Sequence, residues 1–220
     1  MLRNVLAVLF FIFTAGKIDA QPLSFGLFIG NNFTHAYPLM EVATSDEINS
    51  SATASNQYGF LLRYKFNATK DNWLGLETRL IERRTSYHYY MMAGGYLMAG
   101  NYYLKAWEFL LSYSQHIFSV KNRLSFSLHF FVGFSSPVDF RFIVYNPSTD
   151  VYENVDPRHK KGIVAGYGFN VLYPVLNDRL SFFVKGSLSH VNIKYLYSVE
   201  WEVGVLYNLK FRHDLPADEL

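Results

Sequence analysis

The sequence predicts an all-β fold: an eight-stranded antiparallel transmembrane β-barrel with short periplasmic turns and long extracellular loops. Three observations carry this. Eight segments alternate large apolar residues with small or polar ones at a period of two, the period of a strand. The connections between them alternate short and long. The apolar face is also too bulky to fit inside so small a barrel.

The chain of 220 residues opens on an export signal. Arg3 supplies a positive start, Val5 to Phe13 form a short apolar run, and Ile18-Asp19-Ala20 resembles a cleavage site ahead of Gln21. The run is too short and wrongly flanked for a spanning helix. The expected organisation is a signal peptide over 1–20, the barrel over 21–211 and a short periplasmic tail over 212–220.

The strands follow in order. Leu23 to Gly30 alternates weakly. In "QYGFLLRYKF", Gln57 to Phe66, the residues Tyr58, Phe60, Leu62, Tyr64 and Phe66 share a face. Trp73 to about Arg84 and Tyr102 to Gln115 are weaker versions. "LSFSLHFFVGFS", Leu124 to Ser135, sets Leu124, Phe126, Leu128, Phe130, Val132 and Phe134 against Ser125, Ser127, His129, Phe131, Gly133 and Ser135. Gly162 to Tyr173 alternates aromatic and aliphatic residues with glycine-rich partners, and Arg179 to Ser189 is the seventh strand. The last, "YSVEWEVGVLYNLKF", keeps the period over Tyr197 to Phe211.

Between these strands, Asn31 to Asn56, Arg84 to Asn101 and Ser136 to Lys161 read as long loops. Asn67 to Asn72, His116 to Arg123 and Pro174 to Asp178 read as short turns, and His190 to Leu196 is intermediate. Even strand number, about ten residues per strand and this rim asymmetry describe an outer-membrane barrel. Within the second long connection, Tyr87 to Tyr103 reads as a hairpin projecting above the membrane and turning near Ala93 to Gly95.

Alternation alone also fits a soluble barrel with its apolar face inward. Volume separates the two, because an eight-stranded lumen has room only for a filling of side chains. Gly26, Gly30, Gly59, Gly75, Gly133, Gly162, Gly166, Gly168 and Gly204 lie on the polar face, where a crowded interior needs them. The apolar face therefore points into lipid, and Tyr58, Tyr173, Tyr197, Tyr207 and Phe211 fit interfacial aromatic girdles.

The inward positions then carry Arg63, Glu77, Arg79, Glu108, His129, Lys185, Glu200 and Glu202. Balanced signs in a narrow lumen point to a paired plug; a polar pore or proton relay is the alternative. Antiparallel partners have a constant sum of residue numbers, so each turn fixes its pairs. A turn centred near Lys70 sets Arg63 opposite Glu77, one between Ala93 and Gly94 sets Arg79 opposite Glu108, and one between Ile193 and Lys194 sets Lys185 opposite Glu202. His129 belongs to this network in preference to a metal site, and no cofactor is expected.

Composition excludes other classes. A formal net charge of +2 with no Lys/Arg cluster gives no reason to expect nucleic acid. The absence of cysteine rules out disulfides, thiolate metal sites, a cysteine nucleophile and a lipid-anchored cysteine.

With its signal peptide, Ala20-Gln21 junction and eight such strands, the chain resembles the small outer-membrane β-barrel proteins of the OmpA/OmpX type. The likeness is greatest to the porin-like outer-membrane β-barrel domain proteins of Bacteroidetes. It covers about Gln21 to Phe211. It implies an outer-membrane location, contact with outer-membrane lipid and lipopolysaccharide, and recognition of a C-terminal aromatic residue, here Phe211, by the barrel assembly machinery.

The reading is a non-enzymatic barrel with a structural or surface-interaction role, meeting an extracellular or envelope protein partner through its long loops. A narrow pore for small solutes is the alternative. A lipid A-modifying enzyme is the third: "SLSHVN" places His190 toward lipid near the rim, as in eight-stranded lipid A deacylases. Asn192 stands where their serine nucleophile would be, and Ser189 takes the opposite face, so no catalytic residue is assigned.

Overall fold

Closing a sheet on itself removes its free edges and forces one face of every strand inward. A computed structural model describes residues 23–36, 49–66, 72–91, 96–121, 123–146, 151–154, 161–176, 179–192 and 196–209. The strands are β1 (Leu23–Ala36), β2 (Asn49–Lys65), β3 (Trp73–Met91), β4 (Tyr96–Val120), β5 (Leu124–Asn146), β6 (Val151–Asn154), β7 (Gly162–Val175), β8 (Leu180–Val191) and β9 (Leu196–Leu209). Eight of them form a closed antiparallel ring, with β1 beside β9 and β4 beside β5. The four-residue β6 lies outside that ring and folds back along the upper part of β5, from Ile143↔Asn154 to Asn146↔Val151. The segments 1–22 and 210–220, with Phe211, lie outside the described residues.

The strands are longer than the alternation predicts. β2 starts at Asn49 instead of Gln57, β4 covers Tyr96–Val120 instead of 102–115, and β5 runs to Asn146 instead of Ser135. Much of the three expected long loops is therefore strand. The physical reason is that alternation needs two different environments. Above the bilayer water wets both faces, so the period fades while the ladder of backbone hydrogen bonds continues. Bulges between Thr53 and Gln57, and between Lys105 and Ala106, also reset the parity where the pattern would be read. The projecting hairpin forms as expected: Tyr87 pairs with Gly100, Tyr89 with Met98 and Met91 with Tyr96. Its turn at Ala93 to Gly95 lies outside the described residues.

The outer face is apolar around the ring. Leu27, Ile29, Phe60, Phe109, Leu111, Val132, Phe134, Ile163, Phe182, Trp201 and Val203 are all exposed, Leu27 by 68%. On a soluble barrel that belt would face water, so exposure decides for lipid. Along β4 the belt runs from Phe118 to Trp107, about 25 Å along the membrane normal at ~3.3 Å per residue and ~45° tilt. Tyr173 and Tyr207 face outward near the short-turn rim, and Tyr207 packs on Phe25 with ring centroids 5.4 Å apart. Tyr197, at the opposite rim, stacks on His35 at 5.1 Å. Tyr58 faces outward but is not near a strand end, because β2 begins at Asn49.

Glycine on the inner face is a matter of room. A Cβ at Gly59 would stand 2.5 Å from the Phe28 ring and 2.8 Å from Arg79 Cβ, both held in the packed interior. At Gly186, on the lipid side, it would meet the ends of the Phe169 and Trp201 rings, which can swing aside. Gly59→Ala should therefore cost about 1–3 kcal/mol of folding free energy in urea titrations with lipid vesicles. Gly186→Ala should cost clearly less, and equal costs would contradict this packing.

Candidate functional site

The inward parity of five strands gathers a charge cluster inside the barrel. Arg79 and Arg83 project from β3, Glu108 from β4, His129 from β5, Lys185 from β8, and Glu200 with Glu202 from β9. Arg79 and Glu108 are direct cross-strand partners, as are Lys185 and Glu202. Arg79 donates from Nε to Glu108 Oε2 at 2.8 Å, and from Nη1 to Glu200 Oε2 at 2.7 Å and Glu202 Oε1 at 3.0 Å. Lys185 Nζ lies 2.7 Å from Glu202 Oε2 and 2.7 Å from Glu77 Oε2, so it bridges β9 to β3 across the lumen. His129 Nε2 lies 3.2 Å from Glu77 Oε1, and its Nδ1 lies 3.0 Å from Ser114 Oγ. Ser187 and Ser189 both donate to Glu200.

Arg83 is the residue that the sequence reading missed. It is fully buried, donates to Glu108 Oε1 at 2.5 Å and to Ser198 Oγ at 3.1 Å, and reaches Glu200 Oε1 at 3.3 Å. It lies within the strand read over Trp73 to about Arg84, and its odd number, shared with Glu77 and Arg79, is the signal that places it inward. With Arg83 included, the buried charges among the described residues are Arg63, Arg79, Arg83 and Lys185 against Glu77, Glu108, Glu200 and Glu202. The buried cations and anions are equal in number.

The expected Arg63–Glu77 pair does not form. Arg63 pairs in register with Gly75, and Glu77 with Leu61, so the hairpin is centred on Thr69 instead of Lys70. A bond from Phe66 N to Asn72 O fits the same centre. Moving the centre by one residue shifts each partner by two, which keeps the face and changes the neighbour. Arg63 instead lies over the Trp73 ring at 4.6 Å, and Glu77 meets Lys185 and His129.

Apolar side chains lie to either side of the charges on three of the strands. On β9 Leu196 and Leu206 flank Glu200 and Glu202, on β8 Val191 and Phe183 flank Lys185, and on β4 Ala106 and Leu110 flank Glu108. The Arg79 guanidinium lies 5.5 Å from the centre of the Phe131 ring, and Lys185 Nζ lies 5.4 Å from that of Phe28. The arrangement excludes water and holds the charges together, which fits a plug. Ser189 faces the lumen and is bonded to Glu200, while the exposed His190 faces out, so this pair offers no serine–histidine nucleophile. No group of His, Asp or Glu that could hold a metal ion occurs among the described residues.

No protein-family model matches the chain, and no curated protein does. Solved structures do. A major outer membrane protein of Thermus thermophilus aligns with a TM-score of 0.50 at 10% identity, over 85% of this chain and 99% of that one. This is an outer-membrane β-barrel fold. Neisserial surface protein A aligns with a TM-score of 0.43 at 16% identity, over 85% and 97%. The outer membrane protease OmpT of Escherichia coli aligns with a TM-score of 0.44 at 11% identity, over 88% and 98%. At such identities the likeness is one of fold, and fold does not decide activity. Together with the outward apolar belt, it assigns the barrel to a bacterial outer membrane.

Two adjacent arginines test the cluster. Arg83→Ala leaves Glu108 Oε1 without its cation while Arg79 keeps Oε2, and should destabilise the barrel by about 3 kcal/mol, whereas Arg84→Ala, exposed on the same strand, should change stability by less than about 1 kcal/mol. In a double-mutant cycle, Arg79→Ala combined with Glu108→Ala should cost less than the sum of the singles, with coupling of about 0.5–3 kcal/mol. Additive costs would mean that the pair does not act as one unit.

Proposed function

We propose that the protein is a non-enzymatic outer-membrane barrel with a plugged lumen, acting through the sheet that rises from its outer rim. The observation that carries this is the buried, ion-paired charge cluster, flanked by apolar side chains on β4, β8 and β9. A lumen filled in this way offers solutes no path. What remains is the projecting sheet, in which β3 and β4 stay paired to Met91↔Tyr96 and β6 adds a short strand. A short outer strand paired on one side among the described residues has backbone groups that an extended segment of a partner protein can meet. The signal peptide over 1–20, the tail over 212–220, docking of Phe211 on the assembly machinery and kinship with the Bacteroidetes porin-like barrels belong to the same proposal and rest on the sequence pattern.

The second reading is a narrow pore, favoured by the polar character of the cluster. In planar bilayers the refolded protein should give no steady conductance, and open-channel steps of fixed size would establish the pore in its place. Expressed with its leader, the chain should start at Gln21, fractionate with the outer membrane and shift its gel mobility on heating. Recovery as a soluble periplasmic species would overturn the proposal.

A further inference from the structure

Above the apolar belt, cross-strand register builds two charged rows on the outer surface of the barrel wall. The belt ends where Leu80 pairs with the exposed Trp107. One step higher, Glu82 pairs with Lys105 and Lys105 with Asp139. The next row sets Arg84 and Arg141 on either side of Tyr103, with Thr53 beyond Arg84. Both guanidiniums lie over the Tyr103 ring, at 5.2 Å and 5.8 Å from its centre. They border a cavity of about 520 Å³ that Thr53, Ser86 and Asn101 complete with hydroxyl and amide groups.

We infer that this cavity binds a phosphate of the outer-leaflet glycolipid, with Arg84 and Arg141 as the two arms of the clamp. Height argues for lipid. The row stands two steps above the last apolar pair and faces away from the lumen, where the neighbouring matter is the headgroup layer. Donor chemistry argues for phosphate, since two planar guanidiniums beside hydroxyl groups match an anion with several oxygens. Each arginine already meets a carboxylate two residues away on its own strand, Arg84 with Glu82 at 3.2 Å and Arg141 with Asp139 at 2.9 Å. These are exposed pairs, with Arg84 53% and Arg141 62% exposed, and such pairs add little stability. A guanidinium has five N–H donors, so one carboxylate leaves others for phosphate and holds the fork in place. With Lys105 the patch has three cations to two anions, a net positive site.

The site goes beyond the surface role proposed above and does not depend on it. The test uses the refolded full chain in detergent, read by native mass spectrometry. The probes are bisphosphorylated lipid A, the same lipid without phosphates, and inorganic pyrophosphate. The wild type should retain bisphosphorylated lipid A one to one, and removing the phosphates should weaken binding at least about tenfold. Arg84→Gln with Arg141→Gln should cause a similar loss, whereas Arg123→Gln at the opposite rim should change affinity less than about twofold. Heat-shifted gel mobility checks that each variant is folded; if the double variant is not, the two single substitutions carry the comparison. Equal binding by wild type and variants, or by lipid with and without phosphate, would overturn the site. Pyrophosphate binding as tightly as the lipid would overturn the assignment to lipid.

Discussion

The structure depends on one constraint: charges enclosed by eight strands must satisfy one another, because little else inside can. Moving an ion from water to such an interior costs several kcal/mol even after relaxation. Arg79 answers this by meeting Glu108, Glu200 and Glu202, and Lys185 by joining Glu202 to Glu77. The cluster draws on β3, β4, β5, β8 and β9, so its satisfaction requires a sheet curled far enough to bring β3 across the lumen from β8 and β9. Ser187 and Ser189 donate to Glu200, and Ser198 accepts from Arg83 Nε, at sites that ion pairing leaves over.

The outer face obeys the opposite rule. Lipid tolerates neither charge nor an open backbone, so the belt is apolar and the ladders are continuous through it. At Trp107 the rule lapses, and within one cross-strand step the outward residues become Glu82, Lys105 and Asp139. The same change of solvent explains the long strands above the rim, where either face of β3 and β4 can be polar.

Much of this was legible in the sequence, and the failures have physical causes. Strand identity, inside and outside follow from parity, as Glu77, Arg79, Glu108, Lys185, Glu200 and Glu202 show by lying in the lumen. Arg79 opposite Glu108 and Lys185 opposite Glu202 followed from the turn centres. Arg83 lies within the strand read to about Arg84 and was missed because Glu82, Arg83 and Arg84 put charge on both faces at the bilayer boundary, where alternation no longer singles out an inward residue. The Arg63 pairing failed because no side-chain pattern fixes the centre of "NATKDN" to one residue.

That last failure also shows what the charges contribute. Alternation forbids a one-residue slip, which would turn the apolar face inward, but it permits a slip of two. The belt is indifferent to that slip, since one Leu or Phe replaces another against lipid. The lumen is not. Displaced by two along β4, Arg79 would stand opposite Ala106 or Leu110 instead of Glu108. Lys185 displaced along β9 would stand opposite Glu200 or Gly204. The first slip separates Arg79 from Glu108, and the second pulls Lys185 from the carboxylate that ties it to Arg79. Apolar burial chooses the face of each strand; the lumen charges choose its register, and a cluster shared by five strands does so for the ring as a whole.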